Sequence, residues 1–387
     1  MTFVLKYAVI HSFEKEHKKL GLDRSKVVLK PLFDVRKKGI QSLVAALHDL
    51  LGKPGNNVVW GQFSDNKREG DFPTETRSII TSDTADQFES LTRVGMRELV
   101  DHAADEMFST GGFILFAQYV SNQIPFLLVT NIKQRDGLRL DANYEPVEGV
   151  DVDMSKVQQA ARVNLSRLSE ILNPEVAEPQ PDADLPKAEL ERIALEKEKT
   201  YLCFISKGKN SEASGYFIEA LGCQKGVPSA RATKNAYDAV RDFFSTKPSL
   251  IPYKKQARES VIAYLESKIG NGHATLSGVH AAAARVIPSD KADLAADLEE
   301  LTTFLNDEDR QVPEEFVVNS AALKQRIRIK GVECQDQWSI NFNTGALGVD
   351  QNSKVCYRKE DRKIILSDPS EALVKIIEKA LREINAG

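Results

Sequence analysis

Two nearly continuous apolar runs, separated by a short polar turn, constrain this sequence more than any other feature. The first follows Gly111 and Gly112 and covers residues 113–119, and the second covers residues 124–130. Unbroken apolar runs are typical of strands buried on both faces of a sheet, whereas strands with one wet face alternate apolar and polar residues. The two runs therefore predict neighbouring strands in the interior of a folded domain.

The pattern along the rest of the chain predicts a mixed α+β fold. An opening strand at residues 3–11 is followed by apolar residues at helical spacing near 35–51 and again, less regularly, near 85–108. Four prolines among acidic residues then predict a linker. The predicted divisions are an N-terminal α/β domain at 1–172, a Pro-rich acidic linker with a charged helix at 173–198, a mainly helical segment at 199–315, and a C-terminal sheet with a terminal helix at 316–387.

The composition limits how the chain could bind a nucleic acid. The 387 residues carry a formal net charge of −4, with a sequence pI of about 6.0. Affinity for phosphate comes from Lys and Arg that displace counterions, so a protein that coats DNA by bulk charge is basic. Any nucleic-acid binding must therefore come from basic patches that are segregated from the acidic remainder.

The C-terminal strands predict one such patch. Side chains alternate between the two faces of a strand, so in residues 326–330 the two isoleucines face the core and the basic residues face outward. Residues 338–343 repeat the pattern with Trp338 inward, and Val355 with Tyr357 faces inward in a third strand. The side chains expected on the outer face are Arg326, Arg328, Lys330, Asn341, Asn343, Lys354 and Arg358. This face either binds phosphates or is an ordinary solvated face, and the pattern alone leaves both open.

A second basic cluster lies in the helical segment. Residues 199–258 contain 11 Lys and Arg against 4 Asp and Glu, an asymmetry typical of a nucleic-acid footprint. Two helices near 211–221 and 229–244 flank a turn, which suggests helix–turn–helix spacing, although short turns join helices in many folds. The candidate DNA-binding residues are Lys207, Lys209, Arg231, Lys234 and Arg241.

A third group of basic residues lies near the N-terminus, where acidic residues are interleaved with it. This mixing favours a solvated surface over a binding site. The group comprises Lys15, Lys18, Lys19, Arg24, Lys26, Lys30, Arg36, Lys37 and Lys38.

The sequence contains no familiar catalytic motif, such as a phosphate loop, a zinc-protease helix or a nucleophile elbow. Its six histidines have no metal-ligand spacing, and its four separated cysteines are expected to be buried free thiols. One arrangement resembles that of a metal-dependent nuclease, with Asp350 followed by Asp361 and Lys363 on a hairpin. Asp361 is also expected in an ordinary turn, because Asp side chains hydrogen-bond the backbone there. The sequence therefore predicts a non-enzymatic protein without cofactor or metal.

The sequence also predicts that the chain carries no targeting signal. The first residues include an early lysine and no long apolar core, so they predict a strand instead of a signal peptide. No apolar stretch approaches the roughly 20 residues that span a bilayer. These features predict a cytoplasmic protein.

Several segments together resemble the bacterial nucleoid-associated protein family often labelled NdpA or YejK. The resemblance runs nearly end to end and depends on the order and spacing of structural motifs, with Asn164 where the family pattern has Asp. The matching segments are Gly111–Phe116, Phe126–Val129, Leu140–Asp141, Ala161–Leu165, Tyr201–Phe204 and Ser339–Phe342.

The resemblance implies association with the bacterial nucleoid, binding of double-stranded DNA with little sequence preference, and contact with type II topoisomerases. It supplies no catalytic residues. An alternative is a protein-binding regulator, either of a topoisomerase or in defence against phage, whose acidic surface engages a basic partner. Fold alone does not decide between these functions, and the sequence leaves open whether the chain forms a homodimer.

Overall fold

The structure is a computed structural model that describes residues 2–53, 56–64, 71–107, 109–140, 146–154, 157, 159–173, 199–206, 212–332, 339–350 and 352–385. It divides the chain into two compact units, Met1–Val318 and Asn319–Gly387. Most of the predicted linker lies outside the described residues, as do Lys207, Lys209, Cys334 and Trp338. The mixed α+β fold class is confirmed.

The N-terminal unit alternates strands and helices along the chain. Its strands are β1 (Phe3–Phe13), β2 (Val59–Phe63), β3 (Gly112–Ser121), β4 (Ile124–Ile132), β5 (Gln134–Leu140), β6 (Pro146–Val152), β7 (Gln159–Asn164), β8 (Leu202–Ser206), β9 (Cys223–Lys225), β10 (His273–Thr275) and β11 (Glu315–Val317). Its helices are α1 (Lys38–Leu50), α2 (Phe72–Thr81), α3 (Ala85–Asp105), α4 (Leu165–Leu172), α5 (Glu212–Ala220), α6 (Ser229–Thr246), α7 (Lys254–Lys268), α8 (Leu276–Ala284), α9 (Ala292–Leu298) and α10 (Leu301–Leu305).

The main sheet has seven strands in the order β1-β3-β4-β7-β8-β2-β9. Each hydrogen-bonded pair in it is antiparallel. The two apolar runs are β3 and β4, adjacent strands in which Phe116 lies opposite Val129. Both residues are almost completely buried, so the prediction of neighbouring interior strands is confirmed.

Helices cover both faces of this sheet, which explains why β3 and β4 are apolar throughout. On one face α2, α3, α4 and α5 pack around Phe116, Phe88 and Phe217. On the other face α1 contributes Val44 and Leu47. Gly95 interrupts the apolar spacing of α3. Packing explains the glycine, because a β-carbon at this position would lie 2.7 Å from the Phe116 ring.

The predicted domain boundary near residue 199 does not separate two sheets. Strands β8 and β9 follow that boundary, and both pair with β2 of the N-terminal sheet. Buried Asn306 joins the helical segment to the same strand: its side chain accepts a hydrogen bond from the Val58 amide (2.8 Å) and donates to the Val58 carbonyl (3.0 Å). The Trp60 indole also donates to the Asn306 carbonyl. The helical segment is therefore packed into the same unit as the sheet.

The C-terminal unit is built from shorter elements. They are α11 (Ser320–Ile327), β12 (Arg328–Val332), β13 (Ser339–Asn343), β14 (Leu347–Gly348), β15 (Val355–Arg358), β16 (Lys363–Leu366) and α12 (Glu371–Asn385). Strands β12 and β13 form one small sheet, and β14, β15 and β16 form another. The spacing of apolar residues in the terminal helix predicts that Leu373, Ile376, Ile377 and Leu381 are buried. This prediction is wrong, because Ile376 is 65% exposed and Leu381 is 52% exposed.

Candidate nucleic-acid interface

The sheet formed by β12 and β13 presents one polar face. In its antiparallel register Arg328 lies opposite Asn343, and Lys330 lies opposite Asn341. Directly opposed residues share a face, and alternate residues along each strand share it too. Asn341 and Asn343 are exposed, whereas Phe342 between them is half-buried. The predicted alternation is confirmed along β13.

Two parts of the predicted outer face require correction. Arg326 lies in the last turn of α11, half-buried, instead of on a strand. The Asn319 side chain starts this helix by accepting a hydrogen bond from the Ala322 amide at 2.8 Å, which is the usual role of Asn at a helix N-cap. Ile327 is the last residue of the helix and is buried, and the strand then begins at Arg328.

The third strand of the predicted face belongs to a different sheet. Strand β15, flanked by Lys354 and ending with Arg358, pairs with β14 and β16 and has no pairing with β12 or β13. Cys356 is buried in it, whereas Tyr357 is 39% exposed, the reverse of the expected inward tyrosine. The prediction of one polar face formed by three neighbouring strands is therefore wrong. The polar residues are distributed over two small sheets.

The cations of these two sheets differ in how far they are neutralised. Arg328 and Lys354 are exposed, and neither forms an ion pair with any residue that the structure describes. Arg358 pairs with Asp361 at 3.7 Å. The Asn343 side-chain oxygen accepts from the Gly345 amide at 2.9 Å, and its exposed amide group remains a hydrogen-bond donor. Of the predicted cations on these two sheets, Arg328 and Lys354 are therefore exposed and not neutralised by any described carboxylate.

The helix–turn–helix interpretation of the second cluster is wrong. The connection between α5 and α6 contains β9, which pairs with β2 at the edge of the main sheet. Helix α5 packs into the core through Phe217 and Ala220, and Leu221 directly after it is also buried. A helix–turn–helix motif joins its helices by a turn of about three or four residues, so a connection that contains a sheet strand does not have the geometry of that motif.

The individual cations of this helical cluster are also less available than the sequence suggested. Arg231 is 1% exposed, which removes it from any surface. Lys234 is half-buried. Arg241 forms ion pairs with Asp242 at 2.8 Å and with Asp238 at 3.5 Å.

The acidic stretch that follows the cluster provides carboxylate partners for two of its lysines. Lys247 lies 2.9 Å from Glu300 and 3.8 Å from Asp297. Lys199 lies 3.5 Å from Asp309. The excess of basic residues counted along 199–258 is therefore reduced by carboxylates from residues 297–309.

The N-terminal basic group behaves in the same way. Most of its members have a carboxylate partner or hold backbone carbonyl groups, as expected of a solvated surface. The pairs are Lys19 with Glu16, Arg24 with Asp101, Lys26 with Glu14 and Arg36 with Asp34, while the Lys15 ammonium donates to the carbonyls of Lys19 and Glu106.

Net charge separates the two units. Residues 319–387 contain twelve Lys and Arg against nine Asp and Glu, a net charge of +3. Because the whole chain carries −4, residues 1–318 carry −7. The positive charge is therefore segregated, as the composition requires for nucleic-acid binding, and the C-terminal unit holds it.

The nuclease-like arrangement gains no support from the structure. Asp361 lies in the turn between β15 and β16, where it pairs with Arg358 and, at 3.3 Å, with Lys363. Asp350 lies in a bend instead of on a strand. In the part of the chain that the structure describes, no three His, Cys, Asp or Glu residues are grouped so as to hold a metal ion.

Sequence reasoning missed a buried polar cluster on the α1 face of the main sheet. Arg162 of β7 is 8% exposed, lies 3.2 Å from Glu308 and stacks over the Phe126 ring at 5.0 Å. The His48 Nδ1 atom lies 2.8 Å from the Tyr119 hydroxyl. Burial, aided by the Arg162 charge, lowers the pKa of His48 to about 4, so the imidazole is neutral at pH 7.

A second buried histidine and two buried thiols are also held in their neutral forms. Burial, with the nearby Arg93 charge, lowers the pKa of His11 to about 4. The Lys30 amide donates to its Nδ1 atom at 3.1 Å, which leaves Nε2 to donate to the Thr92 hydroxyl. Burial raises the pKa values of the Cys203 and Cys223 thiols. These two cysteines and Cys356 are buried and free, as predicted, and their positions suit packing better than chemistry.

Comparison with known proteins agrees with the resemblance seen in the sequence. A family model described as nucleoid-associated protein YejK matches residues 9–176 and 188–374. A nucleoid-associated protein of Shewanella pealeana is 22% identical over 336 residues, which cover 86% of each chain. One from Shewanella sp. strain ANA-3 is 23% identical over 355 residues, or 90% of this chain and 91% of the relative. One from Pseudomonas putida strain GB-1 is 26% identical over 235 residues, or 60% of this chain and 62% of the relative.

Proposed function

The chain belongs to the family of the nucleoid-associated protein YejK, and we propose that it binds double-stranded DNA with little sequence preference through cations of its C-terminal unit. The observation that carries this proposal is the segregation of charge. The C-terminal unit has a net charge of +3 in a chain of −4, and it exposes Arg328 and Lys354 without a described carboxylate partner.

The geometry of this surface suits phosphate better than bases. Arg and Lys on phosphate oxygens fix the position of a protein on a duplex but carry no sequence information. Reading a sequence requires an element that enters a groove and places several side chains on base edges. Strands β12 and β13 are five residues each, and the connection between the two helices considered for groove binding contains a strand of the main sheet. Binding is therefore expected to depend on backbone contacts and on salt.

The role we propose is structural, in the organisation of the bacterial chromosome at the nucleoid, and it includes no catalysis. The buried histidines and thiols are neutral, and Asp361 is held by two cations. Within the described residues, no helix is both long enough and apolar enough to cross a membrane.

A second proposal is supported by the acidic N-terminal unit. Its net charge of −7 favours a basic protein partner, for which a type II topoisomerase or a component of phage defence is a candidate. Opposite charge mainly raises the rate and specificity of such encounters. In this arrangement one unit meets DNA and the other meets the protein partner.

Binding of labelled duplexes tests the first proposal. Two duplexes of equal length and unrelated sequence should bind equally, and the affinity should fall steeply as salt rises, since each phosphate contact releases a counterion. Plasmid incubated with the protein, Mg²⁺ and ATP should stay intact. Binding that is insensitive to salt, or that strongly prefers one sequence, would refute the proposed mode.

A further inference from the structure

Strand β16 forms one edge of the small sheet β14-β15-β16, and no strand of the described chain pairs with its outer side. The ladder between β15 and β16 shows which backbone groups lie at that edge. The Ser367 amide donates to the Lys354 carbonyl at 2.9 Å, and hydrogen-bonded pairs alternate with non-bonded pairs along an antiparallel ladder. The amides and carbonyls of Ile364 and Leu366 therefore point away from β15, at the open edge of the sheet.

The side chains of this edge are apolar and exposed. Ile364 is 43% exposed, Ile365 is 37% exposed and Leu366 is 57% exposed. Ile364 lies opposite Tyr357, which is also exposed, and Leu366 lies further along the same face. Natural proteins usually protect an open strand edge with charged residues, proline or a bulge. The apolar end of β16 lacks this protection, as expected of a strand that receives a partner strand.

The opposite face of the β15–β16 hairpin is cationic. Lys363 lies opposite Arg358, and the two share a single carboxylate, that of Asp361. Residues 354–366 contain five Lys and Arg against two Asp and Glu, a net charge of +3. A strand added at this edge would place alternate side chains on the apolar face and on the cationic face. Charge complementarity therefore favours an incoming strand in which apolar residues alternate with acidic ones.

Two other occupants fit this edge less well. Edge-to-edge pairing of two copies would bring together two hairpins that each carry a net charge of +3, and like charges oppose such pairing. An anionic membrane would suit the charge. However, an open strand edge does not enter hydrocarbon, where its free amides and carbonyls find no hydrogen-bond partner. An added acidic strand satisfies both the charge and the backbone.

We propose that the outer edge of β16 binds an extended, acidic segment of another protein as an additional strand. The backbone of this segment pairs with the amides and carbonyls of Ile364 and Leu366, and its apolar side chains pack on the same two residues. Its carboxylates meet Lys363 on the opposite face. Strand addition of this kind draws affinity from main-chain hydrogen bonds and specificity from alternate side chains. The site goes beyond the proposed DNA binding and uses the side chain of neither Arg328 nor Lys354.

Fluorescence anisotropy with the full chain and labelled peptides, without DNA, tests this site. The probe is an extended peptide that alternates valine with glutamate, and it should bind the parent chain. The same peptide N-methylated at two adjacent central residues should not bind, because each of its edges has then lost a hydrogen-bond donor. A peptide that alternates valine with lysine should bind at least about tenfold more weakly, since like charges then meet at Lys363.

Ile364→Pro tests the edge in the chain itself. Proline has no amide hydrogen, and the Ile364 amide points outward, so the change removes a donor from the edge and retains the pairing with β15. It should weaken binding of the valine–glutamate peptide by at least about tenfold, with circular dichroism unchanged. Ile364→Thr keeps the amide and should lose less affinity. Ile376→Thr, on the exposed face of α12, controls for nonspecific apolar binding and should leave the affinity unchanged.

Several results would overturn the proposal. Absence of peptide binding, or equal binding of the N-methylated peptide, would exclude strand addition, and this comparison uses the unaltered chain. Loss of affinity in Ile376→Thr but not in Ile364→Pro would place the peptide on α12. If the peptide does not bind, self-association that Ile364→Pro abolishes would assign the edge to a second copy. Binding of phosphatidylglycerol vesicles that Ile364→Pro abolishes would then assign it to a membrane. Since no DNA is present, a failure of DNA binding would leave these results unaffected.

Discussion

The two units use apolar residues in opposite ways. In the N-terminal unit, Phe116 and Leu127 lie on adjacent strands with no exposed surface, and helices cover both faces of their sheet. In the C-terminal unit, Ile376 and Ile384 keep most of their surface in water. The first pattern is that of a domain that completes its own core, and the second is that of a unit whose terminal helix keeps its apolar side chains exposed. We therefore expect substitutions in the N-terminal unit to affect stability most and substitutions in the C-terminal unit to affect binding most.

The largest expected effect is on the core of the N-terminal unit. Phe116→Ala should lower the free energy of unfolding by about 3–5 kcal/mol, because it removes a ring that no neighbour replaces. Urea unfolding followed by circular dichroism measures the loss. Phe113→Ala, on the same strand but 39% exposed, is the matched control and should cost clearly less. Equal losses of unfolding free energy would mean that helices do not cover both faces of the sheet.

A smaller effect is expected at the polar contact that fixes the helical segment to the sheet. Asn306→Ala should cost about 2–3 kcal/mol, because it leaves the amide and the carbonyl of Val58 buried without their partner. Asn341→Ala, in the C-terminal sheet, removes an exposed amide and should change stability by less than about 0.5 kcal/mol. Equal losses of unfolding free energy for the two substitutions would show that polar residues do not stabilise the two units differently.

The pH dependence of stability is also expected to arise from residues of the N-terminal unit. The pKa values of His11 and His48 are about 4 in the folded chain, against an ordinary 6.5. Between these values the unfolded chain binds more protons, so stability is complete above pH 6.5 and falls as the pH drops toward 4. Each histidine contributes up to about 3 kcal/mol over that range. In urea titrations at several pH values, His11→Gln should flatten this dependence; an unchanged slope would show that His11 is already charged in the folded state.

Local patterns in the sequence were sufficient for much of the fold. The apolar runs identified β3 and β4, and the spacing of apolar residues located α1 and α3 to within a few residues. The alternation in residues 339–343 gave the correct face for Asn341 and Asn343. Each of these features depends on neighbours close in the chain, which is why the pattern is visible without tertiary contacts.

The failures came from contacts between distant residues. Arg231 looks like a surface cation in the sequence but is buried, and the basic segment around it meets acidic residues some 50 positions further along, such as Asp297 beside Lys247. The alternation of Arg326 with isoleucine is compatible with a strand and with the end of a helix, and the sequence pattern favours the strand. The N-cap hydrogen bond of Asn319 starts a helix that includes Arg326. The exposed face of α12 follows from the absence of a described partner helix, which no local pattern reports.

The central claim is that the cations of the C-terminal unit, and not those of the helical segment, meet the DNA backbone. The most direct test is the slope of the logarithm of the DNA-binding constant against the logarithm of salt concentration for two charge-matched double variants. Arg328→Ala with Lys354→Ala should reduce the slope by about two, close to one for each lost phosphate contact, and weaken binding to every duplex equally. Lys234→Ala with Arg241→Ala removes the same net charge and should leave the slope unchanged. The opposite result, in which only the second variant lowers the slope, would contradict the account and place the DNA on the helical segment.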